Sequence, residues 1–445
     1  MKRILLIFAL FAACFITHAQ SWLPVGAGTC SSGSAINTHI AIDPGGTPYV
    51  AYSDSTNNWK ITVMKFDGKA WVTVGNPGFS STATEFISLA IDNTGIPYVA
   101  YTDDDNGSKA TVMKFDGAAW ENVGTPDLTK GKANFISIAL DNGGTPYIVY
   151  QDDSSSDRIT VRKFDGSSWA LVGKQGFSVL GAYSTVIAID NTGKPYVAFE
   201  DEYQDYRASV MSFNGTAWFY TGKPGFAASG YSFFISMAIS AAGTPYVAFT
   251  DGSTNKAVAM KYDGSAWAAM GSDTGFSRGV ALYTSIAVDG IGNPYVAYID
   301  ESNDNRPTVL TYNGTAWDAL GTANVASSPA YWTSIAMSKT GVPYVAYIDT
   351  ANEFRATVVA YGRNTGVINI GLSDVTKLYP NPVTTELNIT AQNDIRSLVV
   401  TDVLGRKIFC SAYENRKVSL NTTSFPSGLY YVKINDAEIR KFVKQ

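Results

Sequence analysis

Residues 88–101 read Ser-Leu-Ala-Ile-Asp-Asn-Thr-Gly-Ile-Pro-Tyr-Val-Ala-Tyr, two short apolar runs joined by a turn that contains Asp and Gly. The same pattern returns along most of the chain, and a Pro-Tyr dipeptide marks each copy. Seven such dipeptides follow one another at 49 or 50 residues, beginning at Pro48, Pro97, Pro146, Pro195, Pro245, Pro294 and Pro343. A fixed period of this length is typical of stacked supersecondary units, so the sequence predicts a repeat protein.

Each copy contains four short β-type runs separated by turn signals. The first turn has Asp or Ser at its start and Gly three residues later, as a type I turn prefers. Pro opens the second run, where its missing N–H costs least. The third turn is Asp-Gly or Asn-Gly in six copies, as at Asp116 and Gly117, and this pair is the strongest short hairpin signal. The sequence therefore predicts four antiparallel strands per copy.

The strand runs carry apolar or small residues on both faces, as expected when each sheet packs between two others. Seven copies thus predict an all-β fold, a seven-bladed β-propeller over residues 20–361. The period lies between those of WD40 and kelch propellers, although neither signature is present, so the resemblance is to propellers of no assigned family.

A Trp series predicts how the ring closes. Its seven members are Trp22, Trp71, Trp120, Trp169, Trp218, Trp267 and Trp317. The first Trp precedes the first Pro-Tyr dipeptide, and none follows Tyr361. Blade 7 therefore lacks its own outer strand, and the segment from Trp22 to Gly26 is predicted to supply it, so that no sheet edge stays open.

Composition and the N-terminus indicate an exported protein. The chain has 445 residues, 45% apolar content and a net charge of -5, which excludes the basic excess suited to nucleic acid. Residues 1–19 combine a basic start, an apolar run and a small-x-small site, and predict a signal peptide; Cys14 as a lipoprotein cysteine is the alternative. No later apolar run is long enough for a transmembrane helix. Only Cys30 and Cys410 follow, so no disulfide framework is predicted.

The repeat ends at Tyr361, and residues 362–373 are interpreted as a linker to a second domain. Residues 374–445 contain five blocks in order: 378–383 (Leu-Tyr-Pro-Asn-Pro-Val), 387–389, 400–406, 426–434 and 441–444. These blocks resemble the type IX secretion system C-terminal sorting domain. The resemblance implies a small β-sandwich recognised by an outer-membrane translocon and cut by a sortase-like protease, on a secreted or outer-membrane surface protein of a diderm bacterium. The sorting-signal residues it implies are Tyr379, Pro380, Asn381, Pro382, Gly405, Gly428, Tyr430 and Lys441.

An acid follows the second strand of every copy, and a cation stands five or six residues later. The acids are Asp54, Asp103, Asp152, Asp201, Asp251, Asp300 and Asp349. One interpretation is a salt bridge repeated around the ring. The other is a polar crown that binds a ligand. Calcium is weakly supported, because Lys114 stands where an EF-hand loop beginning at Asp103 needs its closing Glu, and no other cofactor or metal is predicted.

Aromatic residues recur just before the innermost strand, with Asn37 in the first copy. They are Phe86, Phe135, Tyr183, Phe234, Tyr283 and Trp332. Because strands alternate in direction, the loops between strands two and three and the loops between blades emerge on one face. The length changes also fall in these loops, which favours this face for binding. The aromatics either plug the inter-blade cores or stack against sugar rings or peptide side chains.

The sequence favours a binding module over an enzyme. His39 is the single histidine beyond the predicted signal peptide and replaces a Ser of the repeat, so it is interpreted as structural. The acids are spread evenly, which argues against one catalytic carboxylate pair. We therefore expect a secreted or surface-displayed adhesion module that recognises glycans or surface proteins, with no nucleic-acid partner. The alternatives are an extracellular polysaccharide hydrolase or lyase and a structural surface-layer component.

Overall fold

The computed structural model describes residues 21–445 except 27, 85, 228–229, 322–324, 363–376, 403–405 and 436–437. Seven four-stranded antiparallel sheets follow one another, and a separate five-stranded sheet forms the C-terminal domain. The inner strands of neighbouring sheets contact each other in sequence, and those of the first and seventh sheets also meet. The predicted seven-bladed β-propeller is thus confirmed. The signal peptide and its alternative at Cys14 lie outside the described residues.

Each blade runs from an inner strand at the axis to an outer strand. The inner strands are Ala35–Ile42, Ile87–Ile91, Ala133–Leu140, Ala182–Ile189, Ser232–Ile239, Ala281–Val288 and Ala330–Met337. The second strands are Pro48–Asp54, Pro97–Asp103, Pro146–Asp152, Pro195–Asp201, Pro245–Asp251, Pro294–Asp300 and Pro343–Asp349. The third strands are Lys60–Phe66, Lys109–Phe115, Arg158–Phe164, Arg207–Phe213, Lys256–Tyr262, Arg306–Tyr312 and Arg355–Gly362. The outer strands are Trp71–Thr73, Trp120–Asn122, Trp169–Leu171, Trp218–Tyr220, Trp267–Ala269 and Trp317–Ala319, with Ser21–Pro24 in blade 7.

The core lies between the blades. Second strands such as Pro48–Asp54 are buried at every residue, because both of their faces pack against a neighbouring blade. The largest fully buried side chains include Tyr52, Tyr101, Tyr150 and Phe199, one from each of four second strands. This two-sided burial explains why the strand runs lack a polar face.

The outer-strand Trp residues link each blade to the one before it. The indole N–H of Trp120 donates to the carbonyl of Val74 at 2.7 Å, and that of Trp169 donates to Val123 at 2.7 Å. The same bond recurs from Trp22 to Leu320 and from Trp71 to Val25, so the series continues across the closure. A buried indole needs such a partner, and here the partner fixes the spacing of adjacent blades.

The ring closes as predicted. Ser21–Pro24 pairs antiparallel with the third strand of blade 7, with Trp22 opposite Tyr361. The bonds continue beyond the strand, from the amide of Val25 to the carbonyl of Val358 at 2.9 Å. The outer strand of blade 7 therefore comes from the start of the described chain.

The C-terminal domain is built around one long strand. Its strands are Lys377–Tyr379, Glu386–Asp402, Lys407–Asn421, Gly428–Ile434 and Glu438–Lys444. The first half of Glu386–Asp402 pairs with Lys377–Tyr379, and its second half pairs with Gly428–Ile434. Lys407–Asn421 pairs with both halves. A parallel bridge between Val383 and Lys444 joins the Pro-rich segment after the first strand to the last strand. The two halves enclose a single core that includes Leu387, Leu398 and Phe442, as expected for a small β-sandwich.

Candidate functional site

The seven repeated Asp residues end the second strands and shape the loops that follow. In six blades the loop begins with a 3-10 turn, as at Ser55–Asn57, and Asp54 is its N-cap. The chain then takes a left-handed conformation, at Asn58 and again at Trp59, before the third strand starts. Side-chain capping by a short acid is the usual way to begin such a turn.

These carboxylates lie inside the protein. All seven are at most 6% exposed. Asp54 accepts hydrogen bonds from the amide and hydroxyl of Thr56, from Asn57 and from Thr62, at 2.7 to 3.0 Å. Asp152 accepts from hydroxyls and an amide in the same way. The predicted polar crown is therefore corrected at these positions, because the carboxylates are buried and bonded to their own loops.

The cations opposite them also differ from the prediction. Asp201 and Arg207 face each other across the strand pair, yet the guanidinium pairs with Asp205 at 3.1 Å. The same neighbour pairing joins Arg355 to Glu353 at 2.6 Å. The repeated salt bridge is replaced in these blades by an exposed ion pair with the left-handed residue two positions earlier, which contributes little to stability.

The predicted aromatic residues lie at the start of the inner strands, mostly on a β-bulge. Phe135, Phe234, Tyr283 and Trp332 have φ of 50°, 53°, 54° and 49°, a region that bulky residues rarely adopt. Bulges redirect a side chain, and here they turn rings toward the end of the blade. In blade 4 the bulged residue is Ser184, and Tyr183 is one position earlier, paired with Glu200. The predicted equivalence of Tyr183 with the other aromatics is corrected accordingly.

Together with neighbouring rings, these side chains form what we call the aromatic rim. It comprises two series of rings in contact, Phe86, Phe135, Tyr183, Tyr206, Tyr231 and Phe233, and then Phe234, Tyr283, Trp332, Tyr331 and Phe354. Ring centroids in contact are 4.8 to 6.4 Å apart. The rim runs around the axis from blade 2 to blade 7, on the face that the loop lengths indicated.

Sequence reasoning missed the most exposed members of the rim. Tyr231 is 52% exposed, Phe354 is 49%, Tyr331 is 41% and Phe233 is 39%, whereas the predicted aromatics are only partly exposed. Phe354 occupies the second left-handed position before the third strand, which is Tyr206 in blade 4 and Trp59 in blade 1. An aromatic residue directly before the repeated cation was the available signal.

Neither a metal centre nor a histidine-based site is found in the part of the chain that the structure describes. It contains no group of three or more His, Cys, Asp or Glu side chains placed to hold a metal ion. Burial lowers the pKa of His39 to about 4, so its imidazole is neutral at physiological pH. Its Nδ1 is buried without a hydrogen-bond partner among the described residues.

Glu200 is a buried acid next to the rim, directly across the strand pair from Tyr183. It is 8% exposed, and burial raises its pKa to about 7. The equivalent residue of blade 3 is Gln151, whose amide donates to the carbonyl of Ala182 at 2.8 Å and accepts from Asn134. The neutral form of Glu200 is thus the one that suits this inter-blade position.

Glu200→Gln is expected to stabilise the protein above neutral pH and not at pH 5. Between the ordinary pKa of an unfolded Glu and the raised value, the folded state binds a proton that the unfolded state releases, so wild-type stability falls as pH rises through this window. The gain at pH 8 should be about 1–2 kcal/mol, because solvent partly reaches the group. Chemical denaturation at both pH values measures it. Gln151→Glu should add a second loss of stability with rising pH, now in blade 3. Equal gains from Glu200→Gln at pH 5 and pH 8 would contradict this assignment.

Several predicted sorting residues tie the C-terminal domain together. Asn381 accepts a hydrogen bond from the amide of Val443 at 2.9 Å and so holds the Pro-rich segment against the last strand. Tyr430 is buried, stacks on Phe442 and donates to the carbonyl of Pro426. Two further predicted residues lie on paired strands: Gly428 is opposite Lys444, and Lys441 is opposite Tyr431. Tyr379 ends the first strand and is 44% exposed, and Pro380 and Pro382 flank Asn381. Gly405 lies outside the described residues.

Comparison with known proteins assigns the C-terminal domain. Residues 377–445 match the family model described as a secretion system C-terminal sorting domain, which confirms the predicted resemblance. The protein is accordingly secreted or located at the outer-membrane surface, and this domain interacts with the secretion machinery. The described residues contain no helix long and apolar enough to cross a membrane. No curated protein shows significant similarity to the chain.

Solved structures resemble the chain in fold. An ulvan lyase described as a new family of polysaccharide lyase is 13% identical, with 75% of this chain and 95% of that chain covered and a TM-score of 0.52. PorZ of Porphyromonas gingivalis, described as an essential bacterial surface component of the type-IX secretion system, is 15% identical at a TM-score of 0.46; 95% of this chain is covered, but only 61% of PorZ. The lectin SapL1 in complex with alpha methyl fucoside is 15% identical to this chain, at a TM-score of 0.46. The match covers 67% of this chain and 98% of the lectin.

Proposed function

We propose that the protein is a cell-surface binding module that recognises glycans through the aromatic rim. The single observation that carries this is the two series of partly exposed aromatic rings on the face with variable loops. Aromatic faces stack against the apolar faces of sugar rings, and exposed aromatic patches of this extent mark binding surfaces. The strained backbone at Phe135, Phe234, Tyr283 and Trp332 supports the same assignment, since such strain concentrates at functional sites.

The surroundings of the rim also suit sugar hydroxyls. Exposed acids and cations lie on the same loops, among them Asp205 with Arg207 and Glu353 with Arg355, beside Tyr206 and Phe354 respectively. Side chains of this kind donate and accept hydrogen bonds in known ligand pockets, while the aromatic rings supply the contact area. The buried Asp residues hold these loops in place and stay out of contact with ligand. The C-terminal domain would deliver this module to the surface, where a sortase-like protease removes the sorting segment.

A polysaccharide-binding assay with matched variants tests the proposal. The full mature chain is screened on immobilised polysaccharides, and Tyr206→Ala with Phe354→Ala is expected to weaken retention at least tenfold, as loss of two stacking contacts would. Phe219→Ala is the control, because this ring is 54% exposed on an outer strand away from the rim. Equal loss in the control, or no glycan retained by wild type, would overturn the proposal. Release of products from a bound polysaccharide would favour a lyase or hydrolase. If no polysaccharide is retained and the protein covers much of the cell surface, a structural surface-layer role would be favoured.

A further inference from the structure

A cavity of about 500 Å³ lies between blades 2 and 3, at the opposite end of the blades from the aromatic rim. Blade 3 contributes two turns to its wall, residues 143–146 and 164–166, and blade 2 contributes Tyr98, Lys114 and Val123. These turns join the inner to the second strand and the third to the outer strand, whereas the rim is built from the other two kinds of loop. The cavity is therefore separate from the site described above, and its volume lies within the range of small-molecule pockets.

The wall offers both donors and acceptors of hydrogen bonds. The ammonium of Lys114 pairs with Glu121 at 3.1 Å, and both side chains remain partly exposed. Burial and the nearby Asp92 raise the pKa of Tyr98, so its hydroxyl remains a donor at neutral pH. Asp92 borders the turn, since a Cβ added at Gly144 would lie 3.9 Å from its Oδ2. Phe164 adds an apolar surface.

Positive charge does not accumulate around the cavity, because the carboxylates in or beside it outnumber the cations. The cations in the wall are Lys114 and Lys163, and the carboxylates in or beside it belong to Asp92, Glu121 and Asp165. A site for an anion would need a net positive field, which this set does not supply. A hydroxyl-rich neutral ring, by contrast, can use carboxylates as acceptors and the lysine and tyrosine as donors.

The corresponding side chains between blades 5 and 6 are bonded to each other and to the neighbouring blade. There the hydroxyl of Tyr246, the counterpart of Tyr98, donates to the carbonyl of Gly292 at 3.2 Å. The ammonium of Lys261, the counterpart of Lys114, lies over the Tyr246 ring at 5.6 Å from its centroid. The Tyr246 hydroxyl is thus bonded to the next blade, whereas Tyr98 and Lys114 line the cavity, with Lys114 paired to Glu121.

From this geometry we propose that the cavity between blades 2 and 3 binds one neutral sugar residue. Tyr98 and Lys114 would bond its hydroxyls, and Phe164 would contact its apolar side. The site is independent of the aromatic rim. A protein with both sites would hold glycans on two opposite faces.

Titration of the full mature chain with methyl glycosides of neutral hexoses and 6-deoxyhexoses, followed by ligand-observed NMR, tests the cavity. Tyr98→Phe with Lys114→Met is expected to raise the Kd of the best ligand at least tenfold. Both changes keep most of the side-chain volume, and unchanged thermal unfolding confirms the fold. The matched control, Tyr246→Phe with Lys261→Met, should leave the Kd within twofold of wild type.

Three outcomes would overturn the cavity site. They are no binding of any neutral glycoside, tighter binding of a methyl glucuronoside than of every neutral glycoside, and an unchanged Kd in the Tyr98 and Lys114 variant. Tyr206→Ala with Phe354→Ala separates the two proposals. If this variant alone loses monosaccharide binding, the rim holds the sugar and the cavity assignment fails. If monosaccharides bind but no polysaccharide is retained, the cavity stands and the rim proposal fails.

Discussion

Deletion of residues 21–26 is expected to destabilise the whole propeller by about 5 kcal/mol or more, in a single cooperative transition. The deletion removes the outer strand of blade 7, the buried part of Trp22 and the indole bond to Leu320. It also removes the carbonyl of Val25, to which Trp71 of blade 1 donates at 2.7 Å. Two neighbouring blades therefore lose contacts at once, and the third strand of blade 7 becomes an open edge.

Thermal and guanidinium unfolding followed by circular dichroism would measure this effect. Trp22→Phe is the graded control, because it keeps an aromatic ring and loses the bond to Leu320 together with part of the indole packing, for an expected cost of about 2 kcal/mol. A truncated protein with the wild-type midpoint would show that the ring does not depend on this strand.

Asp54→Ala is expected to cost about 3 kcal/mol of stability, although the sequence suggests a surface ligand at this position. The carboxylate is 1% exposed and accepts four hydrogen bonds from its own loop and from Thr62. Its removal leaves those donors without partners in a buried place, which costs more than the bonds themselves contributed.

Asp67→Ala is the matched comparison for Asp54. Asp67 also accepts two backbone amides, from Lys69 and Ala70, but in an exposed hairpin turn where water can replace it. Its loss should cost far less stability than the loss of Asp54, because water can bond the freed amides. If Asp54→Ala kept wild-type stability and lost glycan retention, the repeated acids would be ligands after all.

The fold was predictable because the same turn and strand signals recur in all seven copies of the repeat. Turn chemistry and Pro-Tyr position fix the strands, and the offset of the Trp series predicts the closure at Trp22. Burial is harder to read from the sequence, because Asp54 and Lys60 look like an ion pair whether the acid points outward or into its loop. The loop conformation decides this, and two successive left-handed residues such as Asn58 and Trp59 have no strong signature.

The face that carries the aromatic rings was predicted better than the individual residues. The distance from the inner strand to the Pro-Tyr dipeptide is constant, and Ser184, not Tyr183, lies as far before Pro195 as Phe135 lies before Pro146. Counting from Ala182, which matches Ala133 and Ala281 at the start of other inner strands, gives Ser184 as the bulged residue. Ring contacts between different blades, such as that of Tyr231 with Tyr206, depend on tertiary packing and could not be read from spacing.

The closure also sets the order in which the molecule can fold. Ser21 pairs with Gly362, so the last blade forms only when two segments at opposite ends of the propeller meet. Closing a chain of that length costs about 5 kcal/mol of configurational entropy, and contacts this distant in sequence slow folding. Local hairpins and adjacent blades should therefore assemble first, with ring closure as the final and rate-limiting step. Both closing segments precede the sorting domain, so this step can be completed without it.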